Sequence, residues 1–201
     1  TVKKMVADGH TVLFEAGAGL DSFYADADYA AAGATLVADP EEIFAKADVI
    51  LKVKEPLFNE AKGKHEIDMM HSGQYLITFI HPASPVNHTM VKNMAAKGVI
   101  GLTLDGVPRI SRAQSMDALS SMSTCAGYKG ILMGANDISK FMPLIGTAVG
   151  VIRPSNVLVI GTGVAGLRAV ATAKSLGAVV YSADIRPSAN EQAMSLGAKI
   201  V

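Results

Sequence analysis

The sequence has little of what several classes of protein need. Its one cysteine, Cys125, cannot form an internal disulfide, so we expect a reducing compartment and a small apolar filler buried in a helix. The 18 basic and 18 acidic residues cancel, which leaves no basic surplus to attract nucleic acid as a partner. No apolar run approaches the about 18 to 20 residues that span a bilayer, and no signal peptide is visible, so we expect no membrane insertion of this chain. His65, His71 and His88 lack metal-ligand spacing with cysteine or carboxylates, so no metal site is expected.

Half of the residues are hydrophobic, which suits a well-packed core. Several helical stretches end in a glycine that a short apolar run follows directly, at Gly9, Gly33, Gly98, Gly177 and Gly197. Further runs of the same character lie at 48–53, 75–80 and 156–160. The runs are continuous rather than alternating, as in strands that are buried on both faces. The pattern therefore predicts an α/β fold with doubly wound parallel sheets.

One segment breaks this alternation of strands and helices. From about 112 to 141 the sequence contains no strand pattern, and it predicts a long helix or a helix pair. We therefore expect two Rossmann-like domains, at 1–125 and 126–201, linked by a long helix. Both ends of the sequence look interrupted, and we expect a C-terminally truncated chain in which neither sheet is complete.

A glycine-rich motif, GTGVAG at 161–166, follows the strand predicted at 156–160 and precedes a predicted helix. In such a loop Gly161 permits a tight turn and Gly163 lets the backbone approach a pyrophosphate. Gly166 lets the helix pack closely against the strand. Because strand, loop and helix follow one another in the required order, the motif predicts a dinucleotide-binding site.

The residues around this motif indicate which dinucleotide is bound. The start of the helix, at Val164 and Ala165, offers unpaired N–H groups and a partial positive charge to a phosphate. The next strand ends at Asp184, where a carboxylate accepts hydrogen bonds from the ribose hydroxyls of adenosine. Arg186 is near enough to neutralise a 2′-phosphate, but Asp184 at the strand tip would repel one. We therefore expect NAD(H) rather than NADP(H), bound by the motif with Asp184, Ile185 and Arg186.

The segment from Val107 to Ser121 (VPRISRAQSMDALSS) is long and polar, and no packing rule requires it. It resembles the signature of the proton-translocating NAD(P) transhydrogenases, and the whole chain resembles the NAD(H)-binding component of their alpha subunit. The resemblance continues at 126–128, 163–167 and 182–186. It implies a nicotinamide pocket lined by Arg109, Gln114, Asp117 and Ser120.

The resemblance also implies an activity and partners. NAD(H) on this component would exchange a hydride with NADP(H) on a partner domain, coupled to proton translocation through a membrane domain. The component would be a homodimer in the cytoplasm, peripheral to the inner membrane, or on the matrix side in mitochondria. The residues agree with such a pocket, because Gln114, Asp117 and Ser121 are spaced to share one helical face. With Arg109 in the preceding loop, they can grip a carboxamide and a ribose.

Two alternatives to a transhydrogenase stay open. The same fold family includes alanine dehydrogenase, whose substrate-lysine motif resembles Lys52 to Pro56 (KVKEP) and whose histidine segment resembles Ile80 to Ala83 (IHPA). In such an enzyme Lys54 and His81 would bind the carboxylate and carbonyl of pyruvate and serve acid–base roles. Hydride exchange between two nicotinamides needs alignment but no proton on either ring. The other alternative is a non-catalytic NAD-sensing or assembly module.

Overall fold

The computed structural model of the chain describes residues 1–108 and 110–201, without the side chain of Ser111. The described residues form two compact units, Thr1–Val107 and Pro108–Val201. Both units combine helices with parallel strands, which confirms the predicted α/β class. Within the described residues, no helix has both the length and the apolar composition that crossing a membrane requires.

Helices and short strands alternate along the first unit. Its helices are α1 (Val2–Ala7), α2 (Asp26–Ala31), α3 (Pro40–Lys46), α4 (Glu66–Met69) and α5 (His88–Lys97). Its strands are β1 (Leu13–Glu15), β2 (Thr35–Val37), β3 (Val49–Leu51), β4 (Phe58–Asn59), β5 (Lys64–His65), β6 (Tyr75–Thr78) and β7 (Ile100–Thr103). Helix α3 begins where its sequence indicates. Asp39 caps it by accepting a hydrogen bond from the Glu41 N–H at 2.9 Å, and Pro40 occupies the first turn.

The parallel strands of the first unit form two sheets. β1 pairs with β2, with Leu13 opposite Thr35, and the other sheet has the order β3-β6-β7. In that sheet Val49 lies opposite Tyr75, and Tyr75 lies opposite Ile100. Because these three strands are parallel, their carboxyl ends meet at one edge. β4 and β5 form an antiparallel hairpin that the sequence pattern does not predict.

The core of the first unit lies against the three-stranded sheet. Leu76 of β6 is fully buried, and Phe44 of α3, Ile67 of α4 and Met94 of α5 belong to the same apolar cluster. Gln74, just before β6, is also fully buried, and its side-chain N–H donates to the carbonyl oxygen of Phe44 at 2.8 Å. The buried amide therefore ties the sheet to helix α3.

The second unit has the same alternation after its first helix. A 3₁₀ helix at Ser111–Met116 comes first. The α-helices are α6 (Ala118–Asp137), α7 (Val164–Ser175) and α8 (Pro187–Ser195). The strands are β8 (Ile145–Thr147), β9 (Gly150–Ile152), β10 (Asn156–Ile160), β11 (Val179–Ala183) and β12 (Lys199–Ile200). β10, β11 and β12 form a parallel sheet in that order, and β8 and β9 form a second hairpin that the sequence pattern does not predict.

The core of the second unit joins its sheet to all three helices. Val159 of β10, Val180 of β11, Val170 of α7 and Ala193 of α8 form one buried cluster. Ile131 and Ala135 of α6 pack against this cluster from outside. Helix α6 therefore belongs to the packing of the unit that carries the glycine-rich motif.

The 20-residue helix α6 confirms the prediction of a long helix within the strandless segment from 112 to 141. Cys125 lies on this helix but is exposed, so the expectation of a buried filler is wrong. The physical reason is the helical period. Gly127, Ile131 and Ala135 recur every fourth residue and face the core, and Cys125 lies off that stripe.

Candidate functional site

The glycine-rich motif forms the connection between β10 and α7. Gly161, Thr162 and Gly163 make the loop. Gly161 has a φ of +86°, a left-handed conformation that glycine adopts without a steric penalty. Its N–H donates to the carbonyl oxygen of Ala183 at 2.8 Å, which attaches the loop to the end of β11.

The other two glycines of the motif serve different purposes. A Cβ atom at position 166 would lie 1.9 Å from the carbonyl oxygen of Gly161, so α7 can start this close to the loop only with glycine there. A Cβ atom at Gly163 would contact nothing within 4 Å, so the fold itself does not require this glycine. The space at Gly163 is open and lies at the N-terminus of α7. A phosphate group can enter this space, and a side chain would fill it.

Asp184 joins this loop to Arg186 at the end of β11. Its side chain is only 5% exposed. Oδ2 accepts hydrogen bonds from the Thr162 N–H at 2.7 Å and from the Thr162 hydroxyl at 3.2 Å. The Arg186 guanidinium donates from Nε to Oδ1 and from Nη2 to Oδ2, both at 3.0 Å. These bonds, above all those from Arg186, hold the pKa of Asp184 well below its usual range, so the carboxyl group is ionised at neutral pH.

The remaining residues predicted to bind the cofactor lie beside the loop. Ile185 is 99% exposed, and Val164 is exposed at the first position of α7. Ala165 is partly buried because α6 lies against its backbone, where a Cβ atom on Gly127 would be 2.1 Å from the Ala165 carbonyl oxygen. Sequence reasoning missed this role of Gly127. The available signal was a glycine inside a helix, with no turn to require it.

Together these residues fit a dinucleotide. The open space at Gly163 and the N–H groups of α7 suit a diphosphate, and the buried carboxylate of Asp184 suits a ribose. Within the described residues, no group of three or more His, Cys, Asp or Glu side chains is placed to hold a metal ion.

The four residues predicted to line a nicotinamide pocket have different environments. Arg109 lies outside the residues that the structure describes. Gln114 is exposed on the 3₁₀ helix, whereas Asp117 is buried and caps α6. Oδ1 of Asp117 accepts from the Ser120 N–H at 3.1 Å, and Oδ2 accepts from the Ser120 hydroxyl at 2.6 Å. The expectation that Gln114, Asp117 and Ser121 share one helical face is wrong, because the capping residue Asp117 separates a 3₁₀ helix from an α-helix.

A second polar pocket lies in the first unit, at the carboxyl edge of the sheet β3-β6-β7. Its volume is about 710 Å³, and its lining includes Glu55 after β3, His81 after β6, and Asp105 after β7. Oε2 of Glu55 is buried and has no hydrogen-bond partner in the described part of the chain. Lys54 is exposed and is not among the described residues that line this pocket. The pocket therefore contains one of the two residues of the alanine dehydrogenase alternative.

Asp105 holds His81 through both its backbone and its ring. The His81 N–H donates to Oδ2 at 2.8 Å, and Nδ1 lies 2.7 Å from Oδ1. These contacts stabilise a φ of +49° at His81, which is uncommon outside glycine. Burial alone would raise the pKa of Asp105, but hydrogen bonds from Thr103 and His81 outweigh it and lower the pKa. With Nδ1 directed at Asp105, Nε2 is the ring nitrogen left to accept a proton.

Sequence reasoning missed Asp105. The signal was present, since Asp105 comes directly after an apolar run, as His81 does. Linking the two residues needs the knowledge that β6 and β7 are neighbours in the sheet.

Comparison with protein families assigns both halves of the chain. Residues 1–126 match the N-terminal domain of alanine dehydrogenase/PNT, and residues 130–201 match the C-terminal domain. The chain belongs to the alanine dehydrogenase/PNT family. This membership confirms the resemblance that the sequence motifs indicate.

Relatives within the alanine dehydrogenase/PNT family include both kinds of enzyme. The chain is 40% identical over 200 residues to the first of the polypeptides that make up NAD(P) transhydrogenase subunit alpha in Rhodospirillum rubrum, covering 100% of this chain and 51% of the relative. It is 36% identical over 188 residues to the alanine dehydrogenase of Methanococcus maripaludis, covering 92% of this chain and 48% of the relative. The crystal structure of transhydrogenase from Sinorhizobium meliloti is 42% identical, with a TM-score of 0.89 over 100% of this chain and 57% of that one. The chain thus spans about half the length of the curated relatives it matches.

Proposed function

We propose that this chain is the NAD(H)-binding component of a proton-translocating NAD(P) transhydrogenase, and that it exchanges a hydride with NADP(H) on a partner domain. The observation that carries the proposal is the loop at 161–166, which is open at Gly163 and hydrogen-bonded to Asp184. The 40% identity to the Rhodospirillum rubrum subunit supports a transhydrogenase among the enzymes that use NAD.

On this proposal the second unit holds the adenosine half of the dinucleotide. The N–H groups at Val164 and Ala165 bind the diphosphate at the N-terminus of α7. The ionised Asp184 accepts hydrogen bonds from the ribose hydroxyls and repels a 2′-phosphate, which favours NAD(H) over NADP(H). Ile185, exposed next to Asp184, offers an apolar surface to the adenine ring.

The nicotinamide half is held by the segment around the start of α6. Bound NADH supplies the hydride, so the task of the protein is alignment of the ring. Asp117 and Ser120 are joined by two hydrogen bonds and present a fixed polar surface. Gln114 is exposed and can reach a carboxamide, and Arg109 is assigned to this pocket from the sequence alone.

The wider architecture belongs to the same proposal. We expect two doubly wound Rossmann-like domains, at 1–125 and 126–201, with α6 as the link between them. The partners would be a second copy of this chain in a homodimer, an NADP(H)-binding component and a membrane domain. The site of action would be the cytoplasmic periphery of the inner membrane, or its matrix side in mitochondria.

The variant Gly163→Ala tests the dinucleotide site. Because a Cβ atom at position 163 contacts nothing within 4 Å, the variant should fold like the wild type. The same atom occupies space that the diphosphate needs, so NADH affinity should fall at least about tenfold, equivalent to about 1.4 kcal/mol. The measurement is isothermal titration calorimetry of NADH, with thermal unfolding of each variant in parallel.

Gly134→Ala is the matched control for this test. It lies on α6, and its Cβ atom would also contact nothing within 4 Å. It should keep both the NADH affinity and the unfolding temperature of the wild type. A Gly163→Ala variant that binds NADH like the control would contradict the proposed site.

A second candidate function is an alanine dehydrogenase-type amino-acid dehydrogenase. The observation that favours it is the His81–Asp105 pair in a pocket of about 710 Å³. Reduction of an imine needs a proton as well as a hydride, and a histidine oriented by a carboxylate can deliver one. Robust NAD-dependent oxidation of alanine by the wild type, without transhydrogenation, would favour this candidate over the first.

A further inference from the structure

The carboxylate proposed to bind ribose has no vacant acceptor position. Oδ1 of Asp184 accepts from the Arg186 backbone N–H at 2.9 Å and from its Nε at 3.0 Å. Oδ2 accepts from Arg186 Nη2 at 3.0 Å and from the N–H and hydroxyl of Thr162 at 2.7 Å and 3.2 Å. A carboxylate offers about four lone-pair positions, so a ribose can bind only after one of these donors leaves.

These donors are not equally easy to displace. The N–H groups of Thr162 and Arg186 belong to the backbone that shapes the loop, and Thr162 is only 1% exposed. The Arg186 side chain is 59% exposed, and rotation of its own bonds removes it. Its Nε and Nη2 are neighbouring donors that bind both carboxylate oxygens, as two adjacent ribose hydroxyls would. The guanidinium is therefore the group that the ribose displaces.

We propose that the Arg186 guanidinium is an internal competitor of the adenosine ribose for Asp184. It neutralises a buried carboxylate when no nucleotide is bound, and it has to release Asp184 when one binds. The inference rests on the proposed dinucleotide site. It also reverses the role that the sequence suggests for Arg186, since a guanidinium that is paired with Asp184 is not available to a 2′-phosphate.

The test is the nucleotide affinity of Arg186→Ala in the full chain. ADP carries the ribose hydroxyls without the nicotinamide, so calorimetry with ADP isolates this half of the site. Removal of an exposed ion pair that competes with ligand should raise the ADP affinity about threefold. The analogue 2′,3′-dideoxy-ADP should show no gain, because it has no hydroxyl to take the vacated positions.

Two further variants control for charge and for folding. Arg153→Ala removes the same charge at an exposed position before β10, at the opposite end of that strand from the loop, and should leave the ADP affinity unchanged. Arg186→Gln keeps a neutral donor and should give a smaller gain than Arg186→Ala. A direct reading comes from nuclear magnetic resonance, where the Arg186 Nε–H signal of the wild type should shift when ADP binds but not when dideoxy-ADP binds.

The outcomes separate this inference from the proposed function. A loss of ADP affinity in Arg186→Ala, or an equal gain for dideoxy-ADP, would overturn the competitor role while leaving the dinucleotide site in place. Absence of any ADP or NADH binding by the wild type would overturn both.

Discussion

Replacing Gly127 by alanine tests the close approach of α6 to the dinucleotide-binding end of α7. A Cβ atom at this position would lie 2.1 Å from the carbonyl oxygen of Ala165, and 2.9 Å from its carbonyl carbon. Both are backbone atoms, so no side-chain rotation can relieve the overlap. The two helices would have to separate by roughly 1 Å to reach an ordinary contact of about 3.5 Å.

The magnitude follows from two opposing effects. Alanine gains up to about 1 kcal/mol over glycine in a helix interior. Forcing extra volume into packed structure costs about 1 to 3 kcal/mol. Gly130→Ala, on the same helix, is the matched control, because its Cβ atom would contact nothing within 4 Å and receives the gain alone. Gly127→Ala should therefore be less stable than Gly130→Ala by about 1 to 3 kcal/mol.

Thermal unfolding of the full chain should show this difference as several degrees, since about 1 kcal/mol shifts Tm by about 2 to 4 °C at this size. Two compact units need not unfold together, so amide hydrogen exchange in α6 and α7 should locate the loss in the second unit. NADH affinity should fall as well, because the first turn of α7 moves. Equal protection of α6 and α7 in the two variants would refute the reasoning.

Three further predictions concern the two sites. Asp184→Asn should weaken NADH binding about tenfold while weakening NADPH binding less, so calorimetry that finds both affinities unchanged would exclude the ribose role. Gln114→Ala should slow reduction of an NAD analogue by NADPH in the reconstituted complex by up to about 10²-fold, whereas His81→Ala should cost little; the reverse order would favour the dehydrogenase. The lowered pKa of Asp105 stabilises the fold above the ordinary Asp value of 3.8, and this contribution is lost as pH falls through the folded-state pKa. The difference in Tm between wild type and Asp105→Asn should therefore shrink below about pH 4, and a constant difference would contradict the assignment.

Local features of the second unit could be predicted because neighbouring residues produce them. The strand Asn156–Ile160, the loop that follows it and the helix from Val164 are specified by a continuous apolar run and the spacing of three glycines. The short hairpins β4-β5 and β8-β9 could not be predicted in this way. Each has strands of two or three residues, too few to show a period.

The sequence by itself determined the α/β class, the glycine loop and the position of Asp184 at a strand end, because these depend on spacing within one βαβ segment. Only the tertiary structure decided which side chains meet. His81 contacts Asp105 because β6 and β7 are adjacent strands, and Gly127 contacts Ala165 because α6 packs against α7. Arg186 binds Asp184 in a side-chain conformation that no spacing specifies. Such contacts depend on strand order, helix packing and side-chain rotation, none of which a linear pattern encodes directly.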